Sequence, residues 1–443
     1  MFSFIHKQIE LQNKKPPLNN WWLLLLLLLV FAPHLYLSYQ LMINNQTHDL
    51  HLRILGSRLM EAGKDPYTYY WQVGDTISWY DPNQSIYSNV NGVTTTPFFL
   101  WLQAPLLRLN YCQIRIVWWC IEEFLLLATM LLAVLMPTAR TRQWLVLLVA
   151  VSFFLYSRNW WMHIYNGQMY VLYAFVFMLG NYILAKRQQY ISWWLYPIVC
   201  LVRPFFVLPL LPFVRFKWKK LLALGMGGLL ALILLLLSGH QKNWGQYKDA
   251  LNVYATENTG GYDTVLRNKT ARLGNFPAED CLKKEKKPDF LHAGCMYSMQ
   301  SYLVKLGIKC NNTNTFSLAL FIVVALLLLA VYKFKLAVEM EQQMVLAMLL
   351  YFLGELFAPA ARNPYNMVQW LPVVAILIHA ANKFIIGLLL IGLCLNHSLP
   401  FNFTYEKELG ELLMFVAAWL FVLLPKYSTS KWQGSMPQQS LPM

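Results

Sequence analysis

Charged side chains are scarce in this chain. Asp, Glu, Lys and Arg make up 13% of its 443 residues, against about 25% in a soluble globular domain. The deficit has a physical reason when the solvent is lipid, because a charge at the bilayer centre costs at least about 2.5 kcal/mol. Acidic residues are scarcer still, 21 against 36 Lys and Arg, which leaves a net charge of +15. That excess is not read as a nucleic-acid surface, since many of the basic residues stand in short clusters at the ends of apolar runs. There they mark cytoplasmic loops and meet anionic headgroups. No two of the seven Cys are spaced C-x-x-C, so there is no cysteine metal pattern. A Gly-rich phosphate loop, HExxH and GxSxG are all absent. No small-residue cleavage site follows the first apolar run, which is expected to stay as a retained helix. Internal repeats, heptads and a sizeable soluble domain are missing as well.

What is present is apolar sequence in long runs, including Leu23 to Leu29 and Leu234 to Leu237. Candidate spans lie at 21–42, 113–136, 143–157, 168–185, 191–214, 221–238, 316–332, 342–358, 366–381, 384–396 and 408–424. A shorter stretch at 94–107 holds Pro97 and Pro105. The reading is an all-α polytopic integral membrane protein of about 10–13 transmembrane or re-entrant helices. Clusters such as Lys14–Lys15, Arg140–Arg142, Lys186–Arg187, Arg215–Lys220 and Lys333–Lys335 mark the inner side. They agree only if 94–107 is re-entrant at the outer face and 191–214 is a broken pair with Arg203 at the break. The organisation is then a cytoplasmic 1–20, a membrane core 21–238 with a first outer loop 43–93, a long outer loop 239–315, C-terminal helices 316–425 and a cytoplasmic tail 426–443. Within the first loop, Leu50, Ile54, Leu55, Leu59 and Met60 recur at helical spacing and predict an amphipathic helix over 47–62 on the membrane surface. Gly63 is placed to end it and Asp65-Pro66 to start a turn. In the long loop, two of Cys281, Cys295 and Cys310 form a disulfide if it faces an oxidising compartment, and free thiols are the alternative.

Four features are suited to chemistry. Asp49, beside His48 just past the first span, is suited to act as a general base at the membrane–water boundary, or simply to favour the first turn of a helix. Arg203, inside an apolar stretch, is suited to clamp a phosphate or to pair with Glu355, Glu122 or Glu123. Arg362, in Ala361-Arg362-Asn363-Pro364-Tyr365, either faces a phosphate or snorkels to the interface. The run from Asn159 to Gln168 is an aromatic belt with amides that suit sugar hydroxyls.

The stretch from Asp49 through Gly63-Lys-Asp65-Pro66-Tyr67 resembles the first extracytoplasmic loop of the glycosyltransferase family 87 proteins. These are polyprenyl-phosphate-mannose-dependent mannosyltransferases of the GT-C superfamily. Thr96-Pro97-Phe98, Asn166-Gly167-Gln168 and Val202-Arg203-Pro204 follow in the family's order and resemble its aromatic-x-Pro-Pro, Gly-Gln and Lys-Pro elements. Phe98 stands where the family has a second Pro, and Arg203 where it has Lys. The resemblance covers residues 20–240.

The resemblance implies a GT-C-like fold and an inverting transfer of a hexose, mannose in the family, from polyprenyl phosphate to a lipid-linked or glycan acceptor. The site would lie on the outer face of the cytoplasmic membrane. Asp49 is then the base, Arg203 and Arg362 the donor-phosphate ligands, and His48, Tyr67, His163, Asn166, Gln168 and Tyr365 the candidates for substrate contacts. The scheme needs no metal or cofactor. The partners are the donor, the acceptor and membrane lipids, with no nucleic acid. Loop 239–315 carries 11 Lys plus Arg against 7 Asp plus Glu, a basic balance that suits an anionic acceptor or a solvated face. A polymerase or ligase of lipid-linked glycans, and a transporter or flippase, are the alternatives.

Overall fold

The computed structural model describes residues 21–45, 47–72, 74–80, 93–137, 139–187, 195–213, 218–258, 313–334, 336, 339–358, 363–397 and 406–424. Arg362, Cys281, Cys295, Cys310, the N-terminal 1–20 and the tail from 425 lie outside them. The described residues are helical, with no strand among them.

The first half opens with α1 (Trp21–Asn44), α2 (His48–Glu61) and α3 (Pro97–Gln103), the last running into a 3-10 turn at Ala104–Arg108. Then follow α4 (Tyr111–Leu135), α5 (Arg140–Ala150), α6 (Arg158–Asn166), α7 (Tyr170–Arg187) and α8 (Leu195–Val202). A 3-10 stretch, Pro204–Phe213, leads to α9 (Trp218–Leu237) and α10 (Gln241–Asn258). The second half holds α11 (Thr313–Lys333), α12 (Met340–Phe357), a 3-10 stretch Pro364–Trp370, α13 (Leu371–Ala380), α14 (Lys383–Asn396) and α15 (Glu406–Leu423). Among the described residues, two helices are able by length and composition to cross a bilayer, Tyr111–Leu135 and Thr315–Lys333. Two bent pairs raise the number to four if each counts as one span: Arg140–Leu155 with Arg158–Asn166, at 50°, and Gly225–Leu237 with Gln241–Val253, at 99°.

Local chemistry explains the ends that matter. Asn110 caps α4 in a reciprocal box with Gln113, each side chain meeting the other's backbone N–H. Thr96 accepts from Phe99 N–H while Pro97 takes the first helical position of α3, where its missing N–H is no loss. Ser157 caps α6, and Gly167, at φ 63°, closes it in the left-handed region. Gly63, at φ 70°, ends α2 as the sequence predicts. The Asp65 carboxylate accepts from Tyr67 N–H at 2.9 Å and makes the turn that follows.

The expected break at Arg203 is present, between α8 and Pro204–Phe213. Two expectations are corrected. The run from Asn159, expected as an aromatic belt between two spans, forms the helix α6, and the long loop expected from 239 starts with α10, turned by about a right angle from α9. In addition, α2 is not a surface helix with one wet side. Leu50 through Ser57, with Leu59 and Met60, are all buried. Gly56 permits this, because a Cβ there would lie 3.1 Å from Val93 and 3.2 Å from Leu100.

The core is densest in the second half. Every residue of α13 from Leu371 to Ala380 is buried, as is most of α12. Helices α14 and α15 touch backbone to backbone, where a Cβ on Gly410 would stand 2.4 Å from Asn396 N. Helix α4 is a hub of buried polar contacts. Glu123 faces His34 of α1 at 3.1 Å and Glu122 faces His163 of α6 at 3.3 Å. Arg115 of α4 donates to Met42 O at 3.1 Å and also to Asn45 O, which fixes the end of α1 against the start of α4.

Candidate functional site

At that same end of the bundle lies a partly open cavity of about 240 Å³. Its wall draws on α2, the segment before α3, the α6–α7 turn, the break after α8, α10, the end of α12 at Glu355 and Ala358, and Asn363, Tyr365 and Asn366. Four charged side chains line it: Asp49, Arg53, Arg203 and Glu355.

Asp49 sits in the first turn of α2 but does not serve as its cap, which is Thr47. Its carboxylate instead accepts a hydrogen bond from the Gln168 amide. Burial raises its pKa above the ordinary 3.8, against the opposing charges of His48 and Arg53 and a hydrogen bond from Tyr365. Arg53 lies one turn on, at i+4, so it shares the helix face with Asp49. Its guanidinium donates to Gly167 O and stands over the Trp118 ring, 5.1 Å from the centroid. A Cβ on Gly167 would meet Leu50 Cβ at 2.7 Å, so the residue supplies both the left-handed turn and the close approach.

Arg203 faces this carboxylate-bearing wall from the chain break. Its Nη2 donates to Glu355 Oε1 at 2.6 Å. Glu355 also accepts from Tyr351 Oη at 2.7 Å and from Gln369 Nε2 at 3.4 Å. The guanidinium rests on Tyr170 and Tyr173, 5.4 and 5.7 Å from their centroids. Its Nε has no hydrogen-bond partner. Thr96 donates to Leu201 O at 2.6 Å and so ties the start of α3 to the break. Gly354 lets Phe205 and Leu208 pack against α12, where a Cβ would be only 2.9 Å from Leu208 Cδ1.

No family model, curated protein or solved structure matches this chain. The site therefore has to be read from its own geometry.

Of the candidates from sequence, Asp49, Gln168, Arg203 and Tyr365 line the cavity together. Asn363 Nδ2 donates to Tyr365 Oη at 2.6 Å. The others are elsewhere. His163 is wholly buried, stacked on Trp160 at 4.8 Å, and accepts from Val171 N–H at 3.3 Å, so it holds α6 to α4 and α7 rather than facing the cavity. Asn166 donates to Met162 O at 2.8 Å within its own helix. Tyr67 is fully buried and donates to Thr95 O at 3.0 Å, behind the wall. His48 adjoins Asp49 and acts on it by charge without lining the cavity. Of the two roles weighed for Arg203, the Glu355 pair is present, and the residue still faces the cavity. Glu122 and Glu123 pair with histidines instead.

Arg53, Tyr170, Tyr247 and Asn366 are lining residues that the sequence reading leaves out. For Arg53 the signal was present, a basic residue four positions after the candidate base on a predicted helix. The others come from elements whose approach is tertiary, and no spacing marks them.

Chemically, the cavity brings together a desolvated carboxylate, steadied by an amide, and a guanidinium that pairs with Glu355 and still borders the space. Such a pair suits removal of a proton from one group while negative charge grows on another.

Proposed function

We infer that the protein is a multi-pass membrane glycosyltransferase of GT-C type. It moves a hexose, mannose by the resemblance, from polyprenyl phosphate to a lipid-linked or glycan acceptor at the outer face of the cytoplasmic membrane. The observation that carries this reading is the joint presence of Asp49 and Arg203 in one cavity. A second observation supports the outer face. Cys112, in the first turn of α4 at the cavity end, is disulfide-bonded, and disulfides persist in oxidising compartments. At the opposite end Arg142, one of the residues marking the inner side, donates to Ile378 O at 3.1 Å.

In this mechanism Asp49 accepts the proton of an acceptor hydroxyl as that oxygen bonds to the anomeric carbon. The anomeric C–O bond to phosphate breaks on the opposite side, so configuration inverts. The departing polyprenyl phosphate gains a negative charge, and the Arg203 guanidinium, which borders the cavity, offsets it. Gln168 and Tyr365 orient the Asp49 carboxylate. A raised pKa makes Asp49 a stronger base than an ordinary carboxylate while it is ionised.

The test is transfer in membranes from radiolabelled polyprenyl-phosphate mannose to a crude lipid acceptor pool. Wild type transfers label, and a well-expressed Asp49→Asn loses about 10²–10⁴-fold. Equal transfer by both removes Asp49 from the mechanism. Absence of transfer by wild type, with acceptors supplied, moves weight to the polymerase and transporter readings.

A further inference from the structure

Helix α10 leaves α9 at 99° and brings one face to the cavity. Tyr247 and Leu251, at i and i+4, line it. The Tyr247 ring is held from behind. Tyr67, fully buried and pinned by its bond to Thr95 O, lies 5.5 Å from it, and Trp244 meets it edge-on at 6.0 Å. A partly exposed aromatic ring with two aromatic supports, on a wall that mixes apolar side chains with amides and charges, offers a flat apolar face beside polar groups. Its negative face matches the slightly positive C–H groups on one side of a pyranose, which a purely polar wall does not bind. The neighbours fit the rest of a sugar: Asn363, Asn366 and Gln168 offer amides to hydroxyls.

We propose that Tyr247 is the seat of the acceptor sugar, a pyranoside whose C–H face lies on the ring while its attacking hydroxyl turns to Asp49. The proposal rests on the glycosyl-transfer reading. It assigns the ring to the acceptor because Tyr247 lines the same cavity as Asp49, the base that takes the acceptor's proton. Tyr67 and Trp244 are positioning residues that keep the ring upright.

The experiment is saturation-transfer NMR on the full chain in lipid nanodiscs, free of glycoside detergent, with methyl α-mannopyranoside and methyl β-glucopyranoside as probes. Ring C–H protons of at least one probe take up saturation with wild type and with Tyr247→Phe, which keeps the face. The effect falls to background with Tyr247→Leu, or with Tyr247→Met should the Leu variant not fold. Unchanged saturation in the non-aromatic variants, or none from either probe in wild type, overturns the seat. Transfer assays then separate the two claims. The acceptor KM rises about tenfold in Tyr247→Leu with the donor KM unchanged. Tyr247-dependent binding without transfer sinks only the transferase reading, and transfer with an unaltered acceptor KM sinks only the seat.

Discussion

The Arg203–Glu355 pair lends itself to a quantitative test because its two members are unequally exposed. The Arg203 side chain is 22% accessible and opens on the cavity, whereas Glu355 is 1% accessible. Glu355→Gln keeps the shape and leaves a cation that turns toward the water of the cavity, so the loss is about 1.5–3 kcal/mol, the worth of a hydrogen bond to a charged group. Arg203→Met strands a buried carboxylate whose remaining donors are Tyr351 and Gln369, and the cost is about 3–5 kcal/mol. Combining Arg203→Met with Glu355→Gln removes both charges and restores much of the larger loss, because the strongest penalty belongs to the orphaned ion. Reversible unfolding of the three variants in mixed micelles, arranged as a double-mutant cycle, measures this. The expected coupling is about 2 kcal/mol or more. Additive losses, or a greater loss from Glu355→Gln than from Arg203→Met, would refute the reasoning that the two side chains stabilise the fold as a coupled pair.

Three further outcomes are expected. Burial raises Asp49 above 3.8, so the folded chain holds its proton more tightly than the unfolded one. Stability from this group is fully present below 3.8, declines as pH rises through the raised value, and loses this slope in Asp49→Asn. Transfer, which needs the ionised form, rises with pH over the same window, and a pH–rate profile checks it. Gly410→Ala forces a Cβ to 2.4 Å from Asn396 N and 2.6 Å from Gly392 O, both backbone atoms, so thermal unfolding shows a loss of about 1–3 kcal/mol or more. Gly167→Ala both strains a residue at φ 63° and drives into Leu50, and the activity assay shows the larger effect because Arg53 hangs on the Gly167 carbonyl beside Asp49.

Much of the helix order is legible in the apolar runs, and the Arg203 break follows from basic residues at both ends of one run, which forbids a simple crossing. Helix α6 escapes notice because its run of aromatics reads as an interfacial belt. Its Ser157 cap and Gly167 terminator, the real signals, frame only nine residues. Helix α10 is hidden because polar residues surround Trp244, Tyr247 and Leu251, and only the cavity gives that face a purpose. The cysteine reading looks inside one loop, while Cys112 belongs to a different element, and pairing across elements has no sequence spacing. In the site, Asp49 and Arg203 stand out because charge is expensive in apolar company. Tyr67, His163 and Asn166 are misassigned because a polar side chain near a turn looks the same in sequence whether it serves a substrate or a neighbouring carbonyl.

The two adjacent glutamates of α4 have a consequence beyond their own contacts. Successive residues on a helix point about 100° apart, so Glu122 and Glu123 reach different neighbours, His163 on α6 and His34 on α1. Together they work as a key with two teeth. Any rotation of α4 that frees one tooth also frees the other, and a slide along the axis disengages both. A one-residue insertion upstream, between Asn110 and Glu122, would turn the key by a quarter turn or so while leaving every apolar span as apolar as before. The azimuth of α4, and with it the Arg115 hold on the end of α1 next to Asp49, is therefore tied to the Glu123–His34 hydrogen bond and the Glu122–His163 contact, neither of which touches the cavity.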